Sequence, residues 1–193
     1  ALASSAVEGL ARERLADREL DVPVVAISWY DALAYTQWLA ETEGRAYRLP
    51  TDLEWDKAMR GADGRPFPMA KELDPAFAKL RESRPEAAQP EPVGAFPLDE
   101  SPYGVRDLAG GVGDWTATAA DGGALPQLSD RGQPWADDRQ AIWRGGAWSS
   151  SAFTQSDMRH PQGVHWRVGW IGVRVALSLG ERGSSELVTE PMK

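Results

Sequence analysis

Two capping boxes, Ser28-Trp29-Tyr30-Asp31 and Thr51-Asp52-Leu53-Glu54, narrow more than any other feature what this chain can become. In each, a hydroxyl side chain can accept from the amide three residues on, while the acidic side chain reaches back to the cap amide. Each therefore opens a helix. The first is expected to run to about Glu43 and stop at Gly44, which suits the left-handed C′ position. Ala34, Tyr35, Trp38 and Leu39 form its expected apolar stripe. The second closes at Gly61, with Trp55, Ala58 and Met59 toward the core.

Helical patterning is scarce elsewhere. Val22 to Ile27 is a β-branched run that reads as a short buried strand. From Asp63 to Glu91 prolines and charges mark an irregular loop, with a short helix expected around Pro75–Glu82. Beyond Val93 the chain turns rich in glycine and tryptophan, with β pieces expected near Val93–Phe96, Ile142–Arg144 and Ile171–Leu177. Asp121–Asp138 reads as a further loop. The expected organisation is a charged lead-in over 1–20, one domain over 21–178 and a flexible polar tail over 179–193. The lead-in has helical spacing at Val7, Leu10, Leu15 and Leu20 but no apolar signal-peptide core.

Composition closes several routes. The net charge of −8 and the lack of a basic stripe argue against nucleic acid as a partner. No apolar run approaches the roughly 20 residues that cross a bilayer as a helix. With no cysteine, disulfides, thiolate metal sites and cysteine nucleophiles are all excluded.

Six phrases then recur in one order. They are Pro23–Ala32, Gly44–Trp55, Arg60–Arg65, Ser101–Gly110 with Asp114-Trp115, Arg144-Gly145-Gly146-Ala147-Trp148, and Gly172–Ala176. Together they resemble the formylglycine-generating enzyme, or sulfatase-modifying factor, family. The resemblance implies an irregular α+β fold related to C-type lectins. Family members usually carry several dozen residues ahead of the first phrase, including strands that pair with C-terminal ones. Here about 20 residues precede it and the first is Ala1. A larger parent protein is therefore expected, with association with its N-terminal portion as part of that expectation.

The resemblance also says what is missing. The family's oxidase binds copper through two cysteines near the C-terminus, and this chain has none. A related branch holds iron with three histidines, whereas only His160 and His165 exist here, five apart in a segment read as irregular. A zinc or iron site completed by Asp157 is one reading, and two surface histidines in a loop the plainer one. Family members often bind calcium through a Gly-Asn-Val-Trp-Glu-Trp phrase. In Gly110-Gly111-Val112-Gly113-Asp114-Trp115 the asparagine is lost, leaving Asp114 and Val112 as weak calcium candidates, with Asp121, Asp137 and Asp138 as further acids. The plainer reading has Asp114 hydrogen-bonded to loop amides. Arg144–Trp148 is read as structural, with Trp148, like Trp29, Trp38 and Trp55, a core aromatic.

Residues 149–170 correspond in the resemblance to the family's substrate groove. They mix Phe153, Arg159, His165, Trp166, Arg167 and Trp170 with small polar residues, the composition of recognition surfaces. The expected function is a non-catalytic ligand- or protein-binding module that recognises a protein or peptide segment, or a small ligand, through this C-terminal groove, within a larger bacterial signalling or defence protein of the cytoplasm. The alternatives are a variable binding protein of a diversity-generating retroelement, a metal-dependent enzyme with altered chemistry, and a structural subunit of an assembly.

Overall fold

The computed structural model describes residues 21–69, 72–86, 88–133, 138–151 and 158–179. Both capping boxes form. Ser28 accepts from the Asp31 amide and the Asp31 carboxylate accepts from the Ser28 amide, opening helix α1 (Trp29–Glu43), which ends on Gly44 at φ 63°. Thr51 and Glu54 do the same for helix α2 (Asp52–Arg60), closed by Gly61. The short strand β1 (Tyr47–Arg48) lies between them.

The buried face of α1 is not the expected stripe. Trp29, Tyr30, Ala32 and Thr36 turn inward, whereas Tyr35 and Trp38 stand 44% and 57% exposed and pack on each other. The first turn decides this. The Trp29 amide donates to the Val164 carbonyl and its indole to the Thr116 carbonyl, which rotates residues 35 and 38 outward.

Strands β2 (Gly113–Ala119), β3 (Gln140–Arg144), β4 (His160–Gly163) and β5 (Ile171–Gly172) make one sheet in the order β4-β3-β2-β5. Neighbours are antiparallel except β2 and β5, which run parallel. Strand β6 (Ala176–Leu177) pairs with β1 in a separate two-stranded ribbon. Mixed helices and short strands separated by irregular chain give the expected α+β, C-type-lectin-related class.

Several local expectations are corrected. Val22–Ile27 forms no strand, because Ala26 sits at φ 58° and breaks the extended run; its amide bonds the Val168 carbonyl. Val93–Phe96 is a turn, with Gly94 at φ 73° and the Ala95 amide on the Pro92 carbonyl. Around Pro75–Glu82 turns lead into a 3-10 turn at Arg81–Ser83 instead of a helix. The segment holding His160, read as irregular, is strand β4. The expected strand over Ile171–Leu177 splits into β5 and β6.

The main core joins Trp29, Tyr30 and Leu49 to Trp115, Ala141, Val164 and Ile171. A second cluster packs Trp55 and Met59 against Leu108. Fully burying side chains of this size contributes about 1.5–3 kcal/mol each. Backbone proximity sets the seams: a Cβ on Gly146 would stand 2.1 Å from the Ala109 carbonyl oxygen, and one on Gly113 would stand 2.5 Å from the Trp143 ring. Trp148 is only half-buried, with its indole on the Gly169 carbonyl.

Candidate ligand-binding face

The candidate ligand residues separate into two groups along β4. Arg159 lies at its start and pairs with Asp52 of α2 at 2.6 Å. Asp52 also meets Arg144 at 3.2 Å, and Arg144 reaches Asp56 as well, so Arg159 caps a largely buried ion cluster. His165, Trp166 and Arg167 follow the end of β4. There Arg167 donates to Asp31 at the start of α1 (2.8 and 3.0 Å to its two oxygens), and the His165 and Trp166 rings stand 6.1 Å apart. Trp166 is 55% exposed and Trp170 41%, with the Trp170 carbonyl accepting from the Gly113 amide at the start of β2. Phe153 lies outside the described residues.

Asp31 carries more than its cap. It accepts from the Ser28 amide (2.9 Å), the Ser28 hydroxyl (2.6 Å), Arg131 (3.1 Å) and Arg167. Burial opposes its charge, but the Ser28 hydrogen bonds and the two arginines hold its carboxyl below the usual range. Arg131 is a residue that sequence reasoning missed. It sits in a loop, and no local pattern links it to a partner a hundred positions earlier.

The two histidines do not converge. His160 stacks on Trp143 with ring centroids 4.3 Å apart, and burial, then the charge of Arg144, push its imidazole below the usual value. His165 lies past the opposite end of β4, exposed beside Trp166. Asp157 lies outside the described residues. Among the described residues no three His, Cys, Asp or Glu side chains gather in a metal-binding cluster.

Asp114 is buried, and among the described residues its Oδ2 accepts from the Trp55 indole (2.9 Å) and the Arg174 guanidinium (3.0 Å), not from loop amides. Val112 and Asp114 line a recess of about 300 Å3 together with Lys79, Glu91, Asp107 and Arg174. Glu91 is in turn paired with Lys79 (2.8 Å) and Arg84 (2.9 Å). A cation at Asp114 would lie against Arg174, and Gly111 offers it no side-chain oxygen. The residues present fit an internal ion pair and do not fit calcium. Asp121 is spent on the Gly123 amide and lies 3.8 Å from Arg139, while Asp137 falls outside the described residues.

This layout, with two capped helices feeding a small mixed sheet through irregular loops, defines the formylglycine-generating-enzyme-like class. Residues 5–179 match the model of the sulfatase-modifying factor enzyme 1-like domain, and the chain belongs to that family. It is 35% identical over 128 residues to the inactive C-alpha-formylglycine-generating enzyme 2 of Bos taurus, covering 62% of this chain and 40% of that protein. It is 31% identical over 169 residues to the hercynine oxygenase of Mycobacterium tuberculosis, covering 83% of this chain and 38% of that protein. The chain thus spans about two-fifths of the length of these relatives. Among solved structures, PvdO from Pseudomonas aeruginosa superposes with a TM-score of 0.66 at 26% identity, over 82% of this chain and 63% of that one. Treponema denticola variable protein 1 shares the fold, with a TM-score of 0.64 at 20% identity over 81% of this chain and 71% of that one. No helix among the described residues is long and apolar enough to cross a membrane.

Proposed function

We propose that this domain is a non-catalytic binding module that recognises a protein or peptide segment through the exposed segment that holds His165, Trp166, Arg167 and Trp170. The observation that carries the reading is the exposure of two tryptophans, 55% and 41%, within five residues that also hold an exposed arginine. Tryptophan and arginine are the side chains over-represented among residues that dominate binding energy. An indole left in water gains the most from being covered.

The chemistry available supports binding over turnover. There is no cysteine to hold copper, and His160 is committed to the Trp143 stack. The likeness to an enzyme described as inactive accords with that reading. The parent's setting in a bacterial signalling or defence protein belongs to the same proposal.

A displayed random-peptide library selected against the purified domain tests it. The expected result is a family of related peptides whose binding falls at least about tenfold with Trp166→Ala, the loss of one strong contact. Peptides that bind equally well to Trp166→Ala and Trp170→Ala, or a library with no enriched family, would overturn it.

A further inference from the structure

Beside Trp166 the surface dips into a recess of about 250 Å3 lined by Ser28, Tyr30, Arg131, Gly132, His165 and Arg167. Its floor is made by α1, and its rim by the loop at 131–132 and the turn after β4. Two guanidinium groups line it and share one carboxylate. Arg131 donates to Asp31 at 3.1 Å and Arg167 at 2.8 Å. Both side chains remain 53% exposed. Among the described residues, neither arginine has a second ion-pair partner. The neighbouring Asp130 carboxylate is turned to the Gln127 amide (2.7 Å) and the Ser129 hydroxyl (3.5 Å).

Two cations against one anion leave one positive charge, in a chain whose net charge is −8. Asp31 does not cancel the pair. It orients it, with a carboxylate locked in place by the Ser28 cap. Among the described residues each guanidinium donates to Asp31 through Nη2, which leaves its other N–H groups open to a ligand, and both side chains line the recess. A planar fork held in advance loses little rotamer freedom when it closes on a second planar anion.

We propose that this recess receives a carboxylate of the bound partner, held jointly by Arg131 and Arg167. The proposal rests on the binding reading above and names the chemistry of one end of the ligand. A single unmatched positive charge suits a monoanion. A phosphate dianion would be repelled by Asp31, which cannot leave without breaking the cap of α1. The carboxylate comes from a chain terminus or from an aspartate or glutamate side chain.

The test follows the Arg131 and Arg167 side-chain Nε–Hε resonances of 15N-labelled protein. The probes are N-acetylglycine, its neutral amide, N-acetylaspartate N-methylamide and inorganic phosphate. One of the carboxylates should shift both resonances saturably while the neutral amide does not. Arg167→Gln should weaken that carboxylate roughly tenfold, as expected for losing a hydrogen bond to a charged group, and Arg167→Lys should weaken it less. Arg131→Gln, on a separate loop, should reproduce the loss. A response to N-acetylglycine points to a chain terminus, and one to the aspartate derivative alone points to a side chain. The proposal is overturned if neither carboxylate moves the resonances, if the amide moves them equally, or if phosphate binds more tightly. Saturable carboxylate binding alongside peptides indifferent to Trp166→Ala would sink the wider binding reading and leave the recess standing. Peptides dependent on Trp166 but blind to both arginine variants would do the reverse.

Discussion

The guanidinium of Arg144 lies over the indole of Trp55, 5.1 Å from its centroid, and is almost wholly buried. It ties the end of β3 to α2 through Asp52 at 3.2 Å and through Asp56. Removing one partner of a buried pair leaves charge without compensation, at a cost of about 3–5 kcal/mol. Arg144→Met should cost near the lower end of that range, since Arg159 still faces Asp52. Arg159→Ala removes a half-exposed partner and should cost about 0–1 kcal/mol. Urea unfolding of the two variants checks the contrast; equal losses would mean the cluster is not held by Arg144.

His160 makes acid stability titratable. Burial, then the charge of Arg144, hold the pKa of its imidazole in the fold below the value of about 6.5 that it takes in the unfolded chain. As pH falls through 6.5 the unfolded chain gains a proton that the fold resists, so this contribution is present above that value and lost below it. His160→Phe keeps a ring to stack on Trp143 and has nothing to protonate. Its stability should fall less than the parent's between about pH 8 and pH 5. Parallel losses in both proteins would remove His160 from the account.

Gly113 is one of the positions, with Gly111 and Asp114, at which the chain departs from the family phrase, and a side chain there would meet the Trp143 ring. Any Cβ there would sit 2.5 Å from that ring and 3.4 Å from the Arg144 carbonyl oxygen. Gly113→Ala should therefore destabilise by about 1–3 kcal/mol through overpacking between β2 and β3. Gly122→Ala meets no neighbouring atom but sits at φ 75°, so its cost should be conformational, about 1 kcal/mol. A thermal melt of each variant measures both. A Gly113 variant as stable as the parent would show that Trp143 can move aside.

Calcium should leave the protein unchanged. With Asp114 taken by Trp55 and Arg174, melting temperatures in excess calcium and in chelator should coincide. A ligand that binds only the folded state raises stability with its concentration, so a rise with calcium would contradict the ion-pair assignment.

What the sequence disclosed was whatever depends on near neighbours. Ser28 with Asp31, Thr51 with Glu54, and the stops at Gly44 and Gly61 are pairings within one turn, and all form. The short strands were harder. The β-branched run before Ser28 is broken by one residue, Ala26 at φ 58°, which no pattern of side chains announces. Strand β4 contains a histidine, a proline and a glycine and exists because β3 supplies its hydrogen bonds. The candidate face was half legible. His165, Trp166, Arg167 and Trp170 stand together in sequence, but the arginine that completes the recess comes from residue 131. The separation of Arg159 from that face follows only once Asp52 is seen to hold it.

On the binding proposal, the ligand meets the protein after β4. Trp38, 57% exposed on the outer side of α1, provides an internal control. The decisive measurement is the set of indole Nε1–Hε resonances of 15N-tryptophan-labelled protein, recorded while a library-selected peptide is added. Trp166 and Trp170 should shift and saturate together while Trp38 stays in place. A peptide that moves Trp38, or binds without moving Trp166 and Trp170, would contradict it.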